Sequence, residues 1–564
     1  LAAIARVFLS QQPKIVLALQ ETAVQGELHD LRFEFEQQEN ANLWSFQGRF
    51  DSLTTQPWRN MPGVRDLDAA FWLNGDGGTL LLNGHSTVLH FPGLFRDPLN
   101  LKRLQGQISW TRQQDGGWRL ESPDILAVTN DIHTNTRLML DIPGHDGTPA
   151  FMDLQTDFSD GLAINAHRYY PVGIMPPAVV AWLDRGIVDG KVTSGSALVR
   201  GPLRDFPFHK TQNGIFEVFF HTENMTIDYS PGWPRLTDVA AEVRFLQNGF
   251  DVLIERGMIF DSRLNPTQGR IADFGYAPFE LKGSVQGALL NNLRLLRESP
   301  LAGQFAGFAE SIGAAGDAVT SLDLTIPIRA DQRFRLDGKI DFTGSSLQLQ
   351  EWQLPLTNIR GNLNFTEQKI QARGIRAKAL GSAIVVDVET LGEPQKATRI
   401  EARTRISGQQ LARYFSAMDF GPVSGDSVWT LRLDIPHRSE AKGDAPSLLF
   451  ASDLKGVAIE LPAPLGKTAG ETRTFALSMK LPQNGSRSIY LDYGELMDLA
   501  LAFAADAKGS QKVSRGALRF GGEPVRIPQQ AGFEISGRLK TLDLAAWGEL
   551  LRAHGGGGGL PLNR

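Results

Sequence analysis

The sequence predicts a chain dominated by β-structure: a long, mostly antiparallel sheet with a few short helices. Three observations carry that expectation. Residues 199–250 hold two long runs of alternating residues joined through Pro-Gly-Trp-Pro at 231–234, and period-two alternation of that length means half-buried strands. Turn signals recur about every eight to twelve residues, the spacing of an all-β architecture. Regular alternation of helix and strand patterns is missing, which argues against a parallel α/β sheet.

Within 199–250, Phe216, Val218 and Phe220 share one side of the first run, and Val239, Ala241, Val243 and Phe245 one side of the second. Gly201-Pro202, Asn213-Gly214, Pro231-Gly232 and Asn248-Gly249 punctuate it as turns. Taken in order, residues 1–20 read as a short leading helix or strand. Strand patterns then follow at 28–37, 44–53, 66–75, 78–91, 104–112, 117–130 and 136–143. Helical patterns are few: 176–187, which opens on Pro-Pro; 288–315, read as two helices broken before Pro300; 409–418; and 542–553. Each reads as a plug or strap over the sheet. Residues 21–550 are therefore expected to form one continuous β-region with helical inserts near 176–187, 288–315 and 409–418. A Gly-rich tail at 551–564 contains five consecutive glycines, 555–559.

Composition sets the bounds. The chain has 564 residues, 42% hydrophobic and 21% charged, so it can build a folded core. A net charge of −5 leaves no basic footprint for nucleic acid. Zero Cys removes disulfides, zinc ribbons and thiol catalysis, and suits an oxidising compartment such as a periplasm. The start at Leu1 suggests a fragment or processed product, with any membrane anchor upstream. LAAIARVFL and KIVLAL are too short to span a bilayer, and the former lacks a cleavage-site pattern.

Self-comparison finds an irregular repeat at 58–73, 233–245 and 352–365: Trp, Pro, an aliphatic residue, Asp or Asn two positions on, another aliphatic, a small residue, then an alternating strand. Trp58, Trp233 and Trp352 open the three copies. Asp66, Asp238 and Asn358 hold the polar position and are expected to cap turns. A second recurrence is a strand closed by proline: LDIP (140–143), LTIP (324–327), LDIP (433–436), MKLP (479–482) and VRIP (525–528). Proline has no ladder donor, so strand ends or edges are expected there.

Catalytic chemistry is not visible. The ten His are scattered, without HExxH or paired metal spacing. DIPGHDG (141–147) reads as a Gly- and Asp-rich turn, and GSALVRG (195–201) lacks the lysine of a phosphate loop. No catalytic residue, metal or cofactor is expected. What the pattern does present is roughly 30 one-sided strands and too few helices to cover them. Either the sheet packs on another sheet, or it curls so that its apolar side lines a groove suited to acyl chains. The pattern leaves both open.

The segments GPLRDFPF (201–208), NGIFEVFF (213–220) and PGWPRLTDV (231–239), with RESPLAG (297–303) and IELPAPLGK (459–467), resemble the AsmA-like family and within it the YhdP group of large Gram-negative envelope proteins. The resemblance covers roughly residues 40–550. It implies a curled, taco-like half-pipe carrying phospholipid acyl chains across the periplasm. It also implies an inner-membrane anchor, and contacts to inner and outer membranes, through parts of the protein not in this chain. On that reading the groove lining is Leu67, Phe71, Phe216, Val218, Phe220, Val239, Val243, Phe245, Leu322, Leu324, Ile326, Ile359, Leu363, Leu431, Leu433 and Ile435. The rivals are a structural or adhesive protein of closed β-sandwiches and an enzyme on a β-scaffold such as a polysaccharide lyase. The second lacks a carboxylate cluster.

Overall fold

The computed structural model describes residues 21–37, 42–59, 61–300, 302, 310, 312–349, 354–392, 397–410, 422–436, 446–480, 488–505, 511–521 and 524–554. These hold 31 strands and only short helices. The fold class is the expected one. The predicted element at 1–20, Trp352, Pro482 and residues 411–418 lie outside the described residues. The chain divides into two compact units, one of 1–286, 298–303 and 322–335, the other of 287–297, 304–321 and 336–564.

In the first unit the expected early strands are Gln25–Gln37, Asn42–Thr54, Leu67–Asn74, Gly77–His90, Leu99–Arg112, Trp118–Val128 and His133–Ile142. Each pairs antiparallel with the next. The meander continues through Phe151–Leu162, Ile187–Pro202, Ile215–Ile227, Leu236–Leu246 and Gly249–Ile259. The second unit repeats the scheme from Leu354–Thr366 to Gln511–Phe520. Its last strand, Gly532–Gly537, runs parallel to Gln511–Phe520. A parallel neighbour needs a return run, and that run contains VRIP (525–528), which is not a strand. The proline rule holds where Pro143 and Pro327 follow strands and Pro436 ends one.

A skip in the alternation recurs along the chain. Leu236 and Val239 are three residues apart yet share one buried cluster, as do Val64 with Leu67 and Leu101 with Leu104. In the second unit Leu356 and Ile359 do the same. At the repeat motif one residue inside the skip takes the left-handed backbone: Asp66 at φ 60°, Asp238 at 51° and Asn358 at 51°. Other strands place Ser52, Ser86 and Asn224 there, with φ of 55°, 58° and 52°. Ladder registers shift at these positions. The feature is a β-bulge, which bends the strand and re-aims the next side chain. Asp and Asn are the residues that tolerate left-handed geometry best after glycine. Asp66, Asp238 and Asn358 are thus bend-makers at or within strands, not turn caps. The residue that follows each one, Leu67, Val239 or Ile359, exposes 3%, 0% and 3% of its surface.

Each bend separates a short arm from a long arm. Short arms pair among themselves: Gly63–Arg65 with residues 88–90, Ser262–Leu264 with 257–259, and Val457–Ile459 with 423–425. Their apolar side chains pack against the base of the long arms, so the buried clusters lie along the crease. Polar groups there are satisfied by buried hydroxyls. Thr87 Oγ1 donates to Asp66 O at 2.9 Å, Thr222 Oγ1 to Ala241 O at 3.2 Å and Ser122 Oγ to Gln107 O at 2.6 Å. In the IELPAPLGK segment, Lys467 is buried and its Nζ donates to the carbonyls of Leu454 (2.9 Å), Thr468 (3.0 Å) and Val457. Burial pushes its ammonium below the ordinary lysine range.

The described helices include the short 3-10 segments Ala163–Arg168 and Leu203–Asp205, a turn beginning at 408–410, and Pro177–Gly186, Leu289–Arg297 and Leu544–His554. The last extends into the expected tail, so 551–554 are helical. The expectation of two helices over 288–315 is corrected at its end. Ile312–Ala315 is a strand, pairing Gly313 with Gln348 and Ala314 with Leu347. Ile312 and Leu347 bury Leu293 of the helix, and that tertiary pairing overrides the helix preference of Ala314 and Ala315.

If left-handed geometry sets the crease, Asp238→Gly should keep stability near that of the parent. Asp238→Val should lose at least about 1–2 kcal/mol, read as a lower urea midpoint by tryptophan fluorescence.

Candidate functional site

The ladder registers place apolar residues opposite one another across successive strands. In the first unit one row runs Phe33, Phe46, Leu73, Gly78, Trp110, Leu120, Leu140, Met152, Gly201. A second runs Thr156, Ala197, Val218, Phe245, Phe250, Ile271. The second unit carries a longer one: Ile375, Val386, Ala402, Leu431, Phe450, Leu477, Leu491, Leu499, Leu518, Ile535. No charged residue interrupts any of these rows. Side chains alternate across a strand, so each row belongs to one face.

That face is not a closed core. Burial is deepest at the crease and falls along each long arm: Val239 and Ala241 are buried, Val243 and Phe245 half-buried. Trp429 is buried, whereas Leu431, Leu433 and Ile435 are half-buried. Among the described phenylalanines only Phe71 and Phe208 are buried. Two sheets packed face to face would bury the middle of every strand. The opposite face is polar and carries cross-strand ion pairs, among them Arg119–Asp141 at 2.6 Å, Arg244–Glu217 at 2.7 Å and Arg399–Asp434 at 2.7 Å. In each unit, then, one sheet face is wet and charged. The other is apolar, creased at its base and open along its long arms.

Aromatic rings lie down on this face. A Cβ added to Gly195 would come within 2.4 Å of the Phe158 ring and 2.6 Å of Phe220 Cβ, so glycine there lets the Phe158 ring lie over the backbone. The result is a surface of rings and aliphatic branches that offers no fixed polar contact.

Of the residues expected to line a groove, Val218 and Phe220 stand opposite Phe245 and Val243, and Phe216 opposite Val199. Leu67 and Phe71 continue the face in the early strands, both buried near the crease. Leu322, Leu324 and Ile326 alternate along Asp317–Ile326 and are half-buried, with Asp323 between them exposed. Ile359 lies at the crease and Leu363 faces Ile340 farther out. Leu431, Leu433 and Ile435 face Ala402, Ile400 and Thr398. Sequence reasoning missed Phe208 and the hydroxyls of Thr87 and Ser122. The three-residue skip between apolar positions is the signal that locates the crease.

Trp58 and Trp233 are half-buried in turns outside the sheet, Trp58 beneath the Arg59 guanidinium at 4.7 Å. DIPGHDG is a turn. Asp115 accepts from the backbone N–H of Gly117 (2.9 Å) and Gly144 (3.4 Å), and these bonds hold its carboxyl below the usual carboxylate range. Among the described residues no group of three or more His, Cys, Asp or Glu could hold a metal ion. No described helix is long and apolar enough to cross a membrane.

A family model described as "YhdP protein" matches residues 1–560. The chain is 22% identical over 449 residues to the "Intermembrane phospholipid transporter YhdP" of Escherichia coli strain K12. That alignment covers 79% of this chain and 34% of the relative, so the chain spans about a third of that protein's length. No solved structure matches.

The gradient of burial predicts a split between two neighbouring valines. Val239→Arg puts a charge into the crease and should cost several kcal/mol, lowering the melting temperature sharply. Val243→Arg, on the open arm, should leave it almost unchanged.

Proposed function

The chain belongs to the YhdP family, and on that premise we propose that it is a section of a bridge along which phospholipid passes between the inner and outer membranes, across the periplasm. The observation that carries this reading is the row in each unit that no charged residue interrupts and most of whose apolar side chains are half-exposed. An acyl chain laid on such a face regains about 0.8 kcal/mol per methylene withdrawn from water, while its headgroup stays in solvent beyond the rim. Because the rows lack polar contacts, one position binds much like the next, and the barrier to sliding stays low. A membrane interior offers a similar environment, so entry and exit are nearly balanced. The reading makes the protein a conduit, not an enzyme, with acyl chains as its ligand. Directionality must come from elsewhere in the system.

The rival of closed, adhesive β-sandwiches would bury both sheet faces between layers, at odds with half-buried Leu431, Phe450 and Leu477 in mid-sheet. Substitution tests the conduit directly. Val243→Arg and Leu324→Arg place a cation in the lipid path, where it is costly. Each is expected to lower lipid uptake from vesicles by roughly tenfold with the folded state retained. Unchanged uptake in both variants would count against the proposed path.

A further inference from the structure

The outer face of the second unit departs, at one place, from the charge pairing seen elsewhere on it. Ile375, Val386, Ala402 and Leu431 belong to the apolar row. Arg376, Val385, Arg403 and Thr430, each one residue away, therefore form a row on the opposite face. Arg360 extends that row, standing directly opposite Arg376, and like charges so placed repel. Arg360 Nε donates to Asn358 Oδ1 at 3.2 Å. Arg373, Arg376 and Lys378 have no hydrogen-bond or ion-pair partner among the described residues. Asp387, on the next strand, accepts instead from the backbone N–H of Gly374 at 2.7 Å. Neighbouring arginines are paired: Arg399 with Asp434 at 2.7 Å, Arg403 with Glu401 at 2.6 Å and Arg405 with Asp426 at 2.7 Å. Arg360, Arg373, Arg376 and Lys378 thus stand uncompensated on two adjacent strands of a chain whose net charge is −5.

Apolar surface lies among these cations. Val385 sits between Arg376 and Arg403 on the ladder, and Val428 stands opposite Arg405. They expose 45% and 48% of their surface, and Ala383, opposite Lys378, is exposed too. One valine on a wet face is ordinary. Two of them set among unpaired cations have the make-up of a protein interface, apolar at its centre with arginine around it. Side-chain length decides between partners. Valine is short and arginine long, so a bilayer resting here would meet the guanidinium groups and leave the valines beneath its headgroups. A protein segment laid along the strands reaches both. Arg376 and Lys378 lie two residues apart on one strand, about 7 Å from each other, the spacing of alternate carboxylates on an extended chain.

We propose that this surface, centred on Val385 and bounded by Arg360, Arg376, Lys378 and Arg403, docks an acidic segment of another protein that also carries apolar side chains. It faces away from the apolar rows, so a partner held there leaves them clear, and the inference does not depend on the conduit reading. The test uses the full chain and two short fluorescein-labelled peptides of equal length and charge, one of glutamate and valine, the other of glutamate and serine. Binding is read by fluorescence anisotropy at low salt. The glutamate–valine peptide is expected to bind, and the glutamate–serine peptide to bind about tenfold more weakly. Arg376→Glu combined with Lys378→Glu should abolish binding of the first peptide. The same variant should keep or slightly raise the melting temperature, because it removes the repulsion between Arg376 and Arg360. Val385→Ser should bring the two peptides level. Failure of the glutamate–valine peptide to bind, equal binding of both peptides to the parent chain, or binding that survives the double substitution would overturn the proposal. So would binding of dioleoylphosphatidylglycerol vesicles that the double substitution abolishes, which would make the surface a membrane contact.

Discussion

The bent strands of this protein must keep their ladder hydrogen bonds and yet change direction partway along. A straight strand with one apolar side would present a flat greasy sheet to water. A broken strand would leave buried amides without partners, at a cost of kcal/mol each. One left-handed residue per bend meets both demands, as at Asp66, Asp238 and Asn358. It advances the register by one, aims the next side chain into the crease, and leaves the ladder to resume. The hydroxyls of Thr87, Ser122 and Thr222 then bond nearby carbonyls. The crease clusters, the open long arms and the polar outer face all depend on that local choice.

The energetics follow from the same geometry. Outer ion pairs such as Arg32–Glu34 are exposed, and pairs of that kind add little stability. The packed clusters beside the crease, together with the ladders, hold each unit together. The long arms are stable despite their half-exposed leucines and phenylalanines because most of the described strands have two ladder neighbours. Apolar surface of this extent on a folded protein is ordinarily covered by something other than water. With no charged residue along the rows, the covering molecule on the proposed reading is apolar over many methylenes. On the proposed reading the architecture separates the part that folds the chain, at the crease, from the part that would hold ligand, on the arms. At 203–213 the chain itself covers part of the face, the Phe208 ring seating against Gly201 and Gly214.

Much of this was legible before any coordinates. Period-two alternation located the strands of the first 143 residues to within a few positions, because one side of each is apolar and the other charged. It also placed Phe216, Val218, Phe220, Val243 and Phe245 on one face, because parity within a strand survives any choice of neighbour. The crease was written in the sequence as a skip, Val64 to Leu67 and Leu236 to Val239, but the repeat's Asp looked like a turn cap. Backbone handedness is not visible in composition. The strand Ile312–Ala315 was hidden because its two alanines favour helix, and only its partner at 346–349 decides. Phe208 was hidden for a different reason: a loop aromatic gives no sign of the face it covers until two strands bring Gly201 and Gly214 together.

The central claim is that the open apolar arms carry acyl chains, and the lipid content of the purified protein tests it most directly. The chain would be isolated under mild conditions from the envelope of Gram-negative cells, and its bound lipid measured by mass spectrometry. The account predicts phospholipid at one molecule or more per chain, in the headgroup proportions of the surrounding membrane, since the rows make no headgroup contact. A chain that emerges folded and free of lipid would contradict it.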